Sequence, residues 1–248
     1  MKKLVAFDLD GTLALSKQPL DEDMAERLAD LLDVAMVDII SGGDWPQFEK
    51  QVVSRLPERA NLANLFIQPT TGTKLYRWVG EWKPVYAELF SAEERQAIDA
   101  ALDDAVKAEG FDQGETWGDR IEDRGSQITF SGLGQDAPLV AKNAWDADRA
   151  KREALQKRLR KALPDLSINI GGSTSIDITR KGVDKKYGLE KLLPEAGVSA
   201  GEVLFVGDAI YPGGNDYPAK EMGLDTIKVD EIEQTRLVIT TTVLLLKS

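Results

Sequence analysis

The amino-acid sequence predicts an α/β protein, a doubly wound parallel sheet with an α+β domain inserted into it. Three observations lead there. Short apolar or β-branched runs at 4–7, 34–40, 203–206 and 226–229 have the length and composition of strands covered on both faces. Helical stripes alternate with these runs at both ends of the chain, as crossover helices do in a parallel sheet. From about residue 81 to 182 the pattern changes to long helices and period-two segments, the mark of a half-exposed antiparallel sheet.

The run 4–7 is the first strand. Met24, Leu28, Leu31 and Leu32 then form one stripe over 21–32, a helix that Asp21 would cap. The second strand follows at 34–40. The middle carries helical patterns at 92–108 and 146–163, with alternating segments at 127–130, 167–170 and 175–178, the last after Gly171 and Gly172. A helix over 184–193 returns the chain to the core, with Tyr187, Leu189, Leu192 and Leu193 as its stripe and Asp184 as its cap. Strands at 203–206 and 226–229 complete the sheet. The apolar tail 237–246 is interrupted by Thr240, Thr241 and Thr242 and is too short to span a bilayer, so it is expected to be a terminal core element. The core would therefore comprise 1–80 and 183–248 and the insert 81–182, joined by short hinges near Gly80 and Gly182.

At 248 residues, 42% of them hydrophobic and 29% charged, the chain can bury a core and fold on its own. Its 31 basic against 42 acidic residues leave a net charge of −11. Long-range repulsion then works against nucleic acid or an anionic membrane as a partner, while a small anion in a local basic pocket remains open. The sequence has no cysteine and no histidine, which excludes disulfides, thiolates and imidazole chemistry. Acid, base, nucleophile and metal-ligand roles fall on carboxylates, lysines, hydroxyls and backbone groups, a set that favours magnesium over zinc. Met1-Lys2-Lys3 runs straight into the first strand without the apolar core of a signal peptide, and a cytoplasmic location is expected.

Asp8-Leu9-Asp10-Gly11-Thr12 follows the first strand directly, where open α/β sheets bind ligands. Two aspartates so close repel unless a divalent cation neutralises one or one keeps its proton, and both solutions make them useful. An ordinary Asp-Gly turn would also account for the pentapeptide taken alone. Ser41 ends the second strand before Gly42 and Gly43, so its hydroxyl and the adjacent N–H groups suit a phosphoryl oxygen, although a plain loop serine fits too. Gly207-Asp208 after the strand 203–206 leads to Gly213-Gly214-Asn215-Asp216, an acid-studded glycine loop that packing does not explain. Lys185, at the start of a helix, reads either as a surface lysine or as a fixed cation beside phosphate.

In this order, Asp-x-Asp-Gly-Thr, Ser, Lys and Gly-Asp-x7-Asp, these elements resemble the four motifs of the haloacid dehalogenase superfamily over the whole chain. The insert is similar in size and position to the α/β cap that enters after the third core strand (type IIB), as in sugar phosphatases and eukaryotic-type phosphomannomutases. The fold implied is a Rossmann-like doubly wound core with an inserted α+β cap domain. The mutase likeness is the closer one, through 38–44, 171–177, 182–185 and 207–216. It implies that Asp8 attacks phosphorus, that Asp10 protonates the leaving oxygen and later activates water, and that Lys185 steadies the phosphoryl group, with Ser41, Thr12, Gly42 and Gly43 around it. Magnesium would be held by Asp8, Asp208 and the backbone carbonyl of Asp10, with Asp216 and Asn215 as ligands or as supports to them. In the cap, Arg124, Ser175 and Asp177 match substrate contacts of the mutases, and the planar guanidinium of Arg124 suits a distal phosphate. Read from composition alone, Arg124 is equally a solvated arginine among charged neighbours.

Two departures turn the reading towards hydrolysis. After Phe130 the chain has Ser131-Gly132-Leu133-Gly134-Gln135, shorter than the mutase segment and without its further arginines. Ser41 stands where these mutases tend to carry glycine and phosphatases Ser or Thr. The first expectation is a phosphatase of a small phosphorylated metabolite, a sugar phosphate, working as a monomer or homodimer. The second is a phosphomannomutase-like sugar phosphomutase, and the third an inactive phosphometabolite-binding protein. A Rossmann oxidoreductase is disfavoured, because the first strand leads into acids with no dinucleotide fingerprint.

Overall fold

A computed structural model describes residues 1–247, the side chain of Leu139 excepted. The chain divides into two compact units, Met1–Ala87 with Val183–Ser248, and Glu88–Gly182.

The first unit is built on a seven-stranded sheet in the order β11-β10-β1-β2-β3-β4-β5. The strands are β1 (Leu4–Asp8), β2 (Met36–Ile40), β3 (Leu65–Gln68), β4 (Lys74–Trp78), β5 (Trp82–Ala87), β10 (Val203–Gly207) and β11 (Asp225–Lys228). The first three pair in parallel with one another, and β10 and β11 extend the parallel part beyond β1. Strands β4 and β5 are antiparallel. β1 is central and buried throughout, because its residues alternate between two cores. Val5 and Phe7 join the core closed by α1 (Glu22–Leu32), α2 (Trp45–Gln51) and α8 (Ile232–Lys247). Leu4 and Ala6 join the core closed by α6 (Lys185–Ala196) and α7 (Tyr217–Glu221). Each large apolar side chain so buried contributes about 1.5–3 kcal/mol relative to exposure. That two-sided burial explains why the strand sequences run apolar without alternation.

Helix ends follow the local chemistry. Asp21 and Asp184 accept the N–H groups of Met24 and Tyr187, each at 2.9 Å, and so start α1 and α6. Asp44, in the cap position of α2, makes no such bond, because Lys74 on β4 takes its carboxylate at 2.6 Å. Trp45 stacks on Tyr76 of β4 at 4.3 Å and fixes α2 against the antiparallel strands. The tail forms helix α8: Thr235, Ile239 and Val243 are buried, while Leu237, Leu244 and Leu245 remain exposed. No described helix is long and apolar enough to cross a membrane.

The second unit carries α3 (Ala92–Ala108), β6 (Ile121–Asp123), β7 (Gln127–Ser131), α4 (Leu139–Trp145), α5 (Ala150–Ala162), β8 (Leu166–Ile170) and β9 (Ser175–Arg180). Its sheet is antiparallel in the order β6-β7-β9-β8. Ile128, Phe130, Ile168, Ile176 and Ile178 face the helix side with Leu102, Leu155 and Leu159. The alternate residues Gln127, Thr129, Ser131, Ser175, Asp177 and Thr179 point the other way, so period two holds as the alternation requires.

Three expectations differ from the structure. β5 lies where the insert is expected to begin, yet it pairs with β4 and lengthens the core sheet. Trp82 and Tyr86 anchor it, joining the two cores there. The helix expected over 146–163 starts four residues later, as α5, and a separate short helix, α4, precedes it. Asp146 sits buried between them, accepting N–H groups of Lys151 and Arg152 and pairing with the Arg152 guanidinium at 2.6 Å, so it caps α5 from outside the helix. Strands β3, β4, β5 and β6 have no counterpart in the sequence reading, being short or mixed in polarity.

Candidate active site

Asp8 is the last residue of β1, flanked on one side by the end of β2 leading into Ser41 and on the other by the end of β10 leading into Asp208. Three parallel strands thus deliver their carboxyl ends to one place, the position at which open α/β sheets bind ligands. From the other direction α6 presents Lys185 in its first turn. This lysine is only 2% exposed and donates to both Asp8 and Asp216. Asp216, fully buried, also accepts the N–H of Ala209 at 2.9 Å. Two glycines make room for the acids: a side chain on Gly207 would run into Asp216, and one on Gly11, which has φ +90°, would meet Asp208 at 2.7 Å.

The electrostatics are those of too many anions for one cation. Burial pushes Asp8 up to about 6, with Lys185 opposing and Asp216 and Asp208 adding to the rise. Burial likewise raises Asp208, and Asp216 repels its charge. For Lys185, burial favours the neutral amine but Asp8 and Asp216 outweigh it, so the net direction is upward and the ammonium persists. Ligand oxygens of Asp8, Asp208 and Asp216 all lie within 4.8 Å of one another. Three carboxylates and one ammonium leave two uncompensated negative charges, which a divalent cation would cancel, and an all-oxygen donor set suits magnesium. Asp216 already shares its oxygens with Lys185 and Ala209, so Asp8 and Asp208 have the freer ones. The carboxylate of Asp10 stands outside this trio, which leaves its backbone carbonyl for any role at the metal.

Asp10 is instead held from α2. Its oxygens accept the N–H of Lys17 at 2.8 Å and face the side-chain amides of Gln47 at 3.3 Å and Gln51 at 3.4 Å. Gln51 is buried and also donates to the carbonyl of Gln18 at 2.6 Å, tying α2, Asp10 and the segment after Thr12 together. Neither glutamine was expected at the site. The signal available is their four-residue spacing on a helix that starts just after Ser41, but glutamines on a short helix read as solvated.

Thr12 is buried, and among the described residues its hydroxyl has no partner. Ser41 is also buried; its N–H reaches the carbonyl of Gln68, and among the described residues its hydroxyl has no partner. Gly42 and Gly43 follow it, and Gly43 accepts the N–H of Thr70 at 2.8 Å. Asp8, Asp10, Thr12, Ser41, Gly42, Gly43, Lys185, Asp208 and Asp216 are therefore all carried by the core unit.

Arg124, Ser175 and Asp177 belong to the second unit. Arg124 sits in the turn between β6 and β7 and pairs with Glu122 at 2.8 Å. Asp177 accepts the Thr129 hydroxyl at 2.7 Å and the Gln127 amide at 3.1 Å. Burial raises its pKa, while the Thr129 bond and the charge of Arg124 pull it back. Ser175 lies two residues before Asp177 on the same strand face.

Residues 109–235 match a family model described as eukaryotic phosphomannomutase, just over half of the chain. Over 232 residues the chain is 29% identical to a phosphomannomutase of Schizosaccharomyces pombe, covering 87% of this chain and 84% of that protein. Among solved structures it is similar to an IMP-nucleotidase of Plasmodium falciparum, with TM-score 0.72 and 15% identity over 99% of this chain and 69% of that one. A haloacid dehalogenase-like hydrolase from Bacteroides thetaiotaomicron gives TM-score 0.66 and 17% identity over 98% of this chain and 100% of that one. At such identities the solved structures speak for the fold alone.

Proposed function

The chain belongs to the eukaryotic phosphomannomutase family within the haloacid dehalogenase superfamily, and from that premise we propose that it is a magnesium-dependent phosphatase of a small phosphorylated metabolite, a sugar phosphate. The observation that carries the reading is the buried Asp8–Lys185–Asp216 cluster beside Asp208, at the carboxyl end of the central strands. Ser41 favours hydrolysis over isomerisation, and so does the short arginine-free turn after Phe130, closed by the Ser131 hydroxyl on the carbonyl of Gly134 at 2.9 Å.

In this mechanism a carboxylate oxygen of Asp8 bonds to phosphorus as the bond to the leaving oxygen breaks, and Asp10 gives that oxygen its proton. Water then attacks the aspartyl-phosphate, Asp10 takes the water's proton, and Asp8 is released with free phosphate. Lys185 fixes the attacking carboxylate and offsets charge on the transferring group. Gln47, Gln51 and the Lys17 N–H orient Asp10 for both proton transfers. The Ser41 and Thr12 hydroxyls and the backbone around Gly42 and Gly43 bind phosphoryl oxygens. Magnesium, held by Asp8, Asp208 and the Asp10 carbonyl, would neutralise the repulsion between an anionic nucleophile and an anionic substrate.

The deciding experiment is a screen of phosphorylated metabolites with magnesium that follows both free phosphate and isomerised product. Release of phosphate without an isomer is the expected outcome. An isomer formed without net phosphate release would make the chain a sugar phosphomutase, and binding without turnover would make it a phosphometabolite-binding protein. Chelation by EDTA should remove activity and magnesium should restore it. A zinc requirement, or turnover without metal, would contradict the all-oxygen site.

Substrate selection is assigned to Arg124, Ser175 and Asp177. Arg124→Ala should lower kcat/KM for the physiological substrate by roughly ten- to a hundredfold, as expected for losing a charge-assisted hydrogen bond, while sparing para-nitrophenyl phosphate. Equal losses on both substrates would remove Arg124 from recognition.

A further inference from the structure

The turn that follows β3 is strained, and it packs closely on α6, where Gly72 meets Gly188. Thr70 and Thr71 have φ of 48° and 58°, and Gly72 continues at 82°. Two consecutive β-branched residues in the left-handed region are genuine outliers, since glycine or asparagine would sit there at lower cost. Strain of this kind persists only where the surroundings over-determine it, and here they do. The N–H of Thr70 donates to the Gly43 carbonyl at 2.8 Å, and that of Thr71 to the Ser41 carbonyl at 2.9 Å. The turn is thereby clamped to the loop assigned above to the phosphoryl group.

The two threonine hydroxyls are used differently. That of Thr70 is engaged within the turn, 2.6 Å from the Thr73 hydroxyl, and is fully buried. That of Thr71 has no hydrogen-bond partner among the described residues. It is partly exposed and lies 3.9 Å from where a side chain on Gly42 would begin. The clamp therefore holds a spare donor over a glycine whose missing side chain leaves that space open.

We propose that Thr71 is a phosphoryl-binding residue, and that the strained turn exists to hold its hydroxyl beside Gly42 as a donor to a phosphoryl oxygen together with Ser41. This rests on the assignment of the Ser41–Gly43 loop to the phosphoryl group. A glycine at position 71 would fit the backbone better but would lack the donor, so strain and function pull in opposite directions at this one residue.

The test compares Thr71→Gly and Thr71→Ser with the wild type in the full chain. It uses thermal unfolding, calorimetric binding of inorganic phosphate with magnesium, and turnover of para-nitrophenyl phosphate. Thr71→Gly should unfold at the same or a higher temperature yet bind phosphate about tenfold more weakly and lose about tenfold in kcat/KM, the effect of one hydrogen bond to a charged group. Thr71→Ser, which keeps the hydroxyl, should recover most of both losses. Wild-type binding and turnover in Thr71→Gly would overturn the proposal, as would a Thr71→Ser protein that fails as badly as Thr71→Gly. A wild-type protein that binds phosphate without hydrolysing it would sink the phosphatase reading and leave the binding comparison decisive. One that does not bind phosphate at all would overturn both.

Discussion

Asp8→Asn should abolish turnover, by on the order of a thousandfold or more, while the protein stays folded. An amide cannot form the aspartyl-phosphate and is a poor ligand for magnesium. The fold should survive because the change removes a buried charge that folding already tolerates with difficulty: burial pushes this carboxyl up to about 6. Lys185 keeps Asp216 as a partner in the variant. Steady-state kinetics on para-nitrophenyl phosphate, with unfolding measured on the same preparation, check both halves. Activity within tenfold of wild type would end the case for Asp8 as nucleophile.

Lys185→Met should combine the loss of activity with a large loss of stability. The lysine donates to both Asp8 and Asp216, and removing one member of a buried ionic cluster typically costs about 3–5 kcal/mol, because the remaining charges stay buried without a partner. The pH dependence has a definite sign. Without the ammonium, the folded-state pKa of Asp8 rises further above its unfolded value, so folding takes up a proton. The variant should therefore gain stability as pH falls through that raised pKa towards the unfolded one, and lose it again as pH rises. Urea unfolding between about pH 8 and about pH 5, on either side of the raised pKa, reads this directly. A stability change below about 1 kcal/mol, the range of a surface ion pair, would mean that the cluster is not the buried triad described here.

The parts of this molecule that were legible in the sequence are those in which neighbouring residues settle the outcome. The apolar runs that became β1, β2 and β10 are strands because both of their faces are covered, and that requirement is written residue by residue, whereas β11 lies at the sheet edge and is largely exposed. Helices α1 and α6 begin where Asp21 and Asp184 stand, since capping acts over three residues. Helix α3 spans Ala92–Ala108 as its periodicity predicts, with Ser91 and Glu94 forming a capping box at its start. The motif residues at the strand ends were readable for the same reason, because a strand that runs into Asp8, Ser41 or Asp208 fixes where those side chains emerge.

What only the tertiary structure decided depends on residues far apart in the chain. Nothing local in Lys185 or Asp216 marks them as a pair, and they meet because α6 and the loop after β10 pack against the same end of the sheet. Asp146 reads as the first residue of a helix until Arg152 is seen to fold back onto it. Gln47 and Gln51 read as solvated, and only the stacking of Trp45 on Tyr76 and the pull of Lys74 on Asp44 set α2 where both amides reach Asp10. The strain at Thr71 is likewise invisible in sequence, because a left-handed threonine is disfavoured locally and arises only when bonds to Ser41 and Gly43 outweigh the backbone's own preference. Patterning and capping act over one turn or one strand and so leave their record in the sequence, whereas paired charges, borrowed partners and imposed strain are properties of the packed chain.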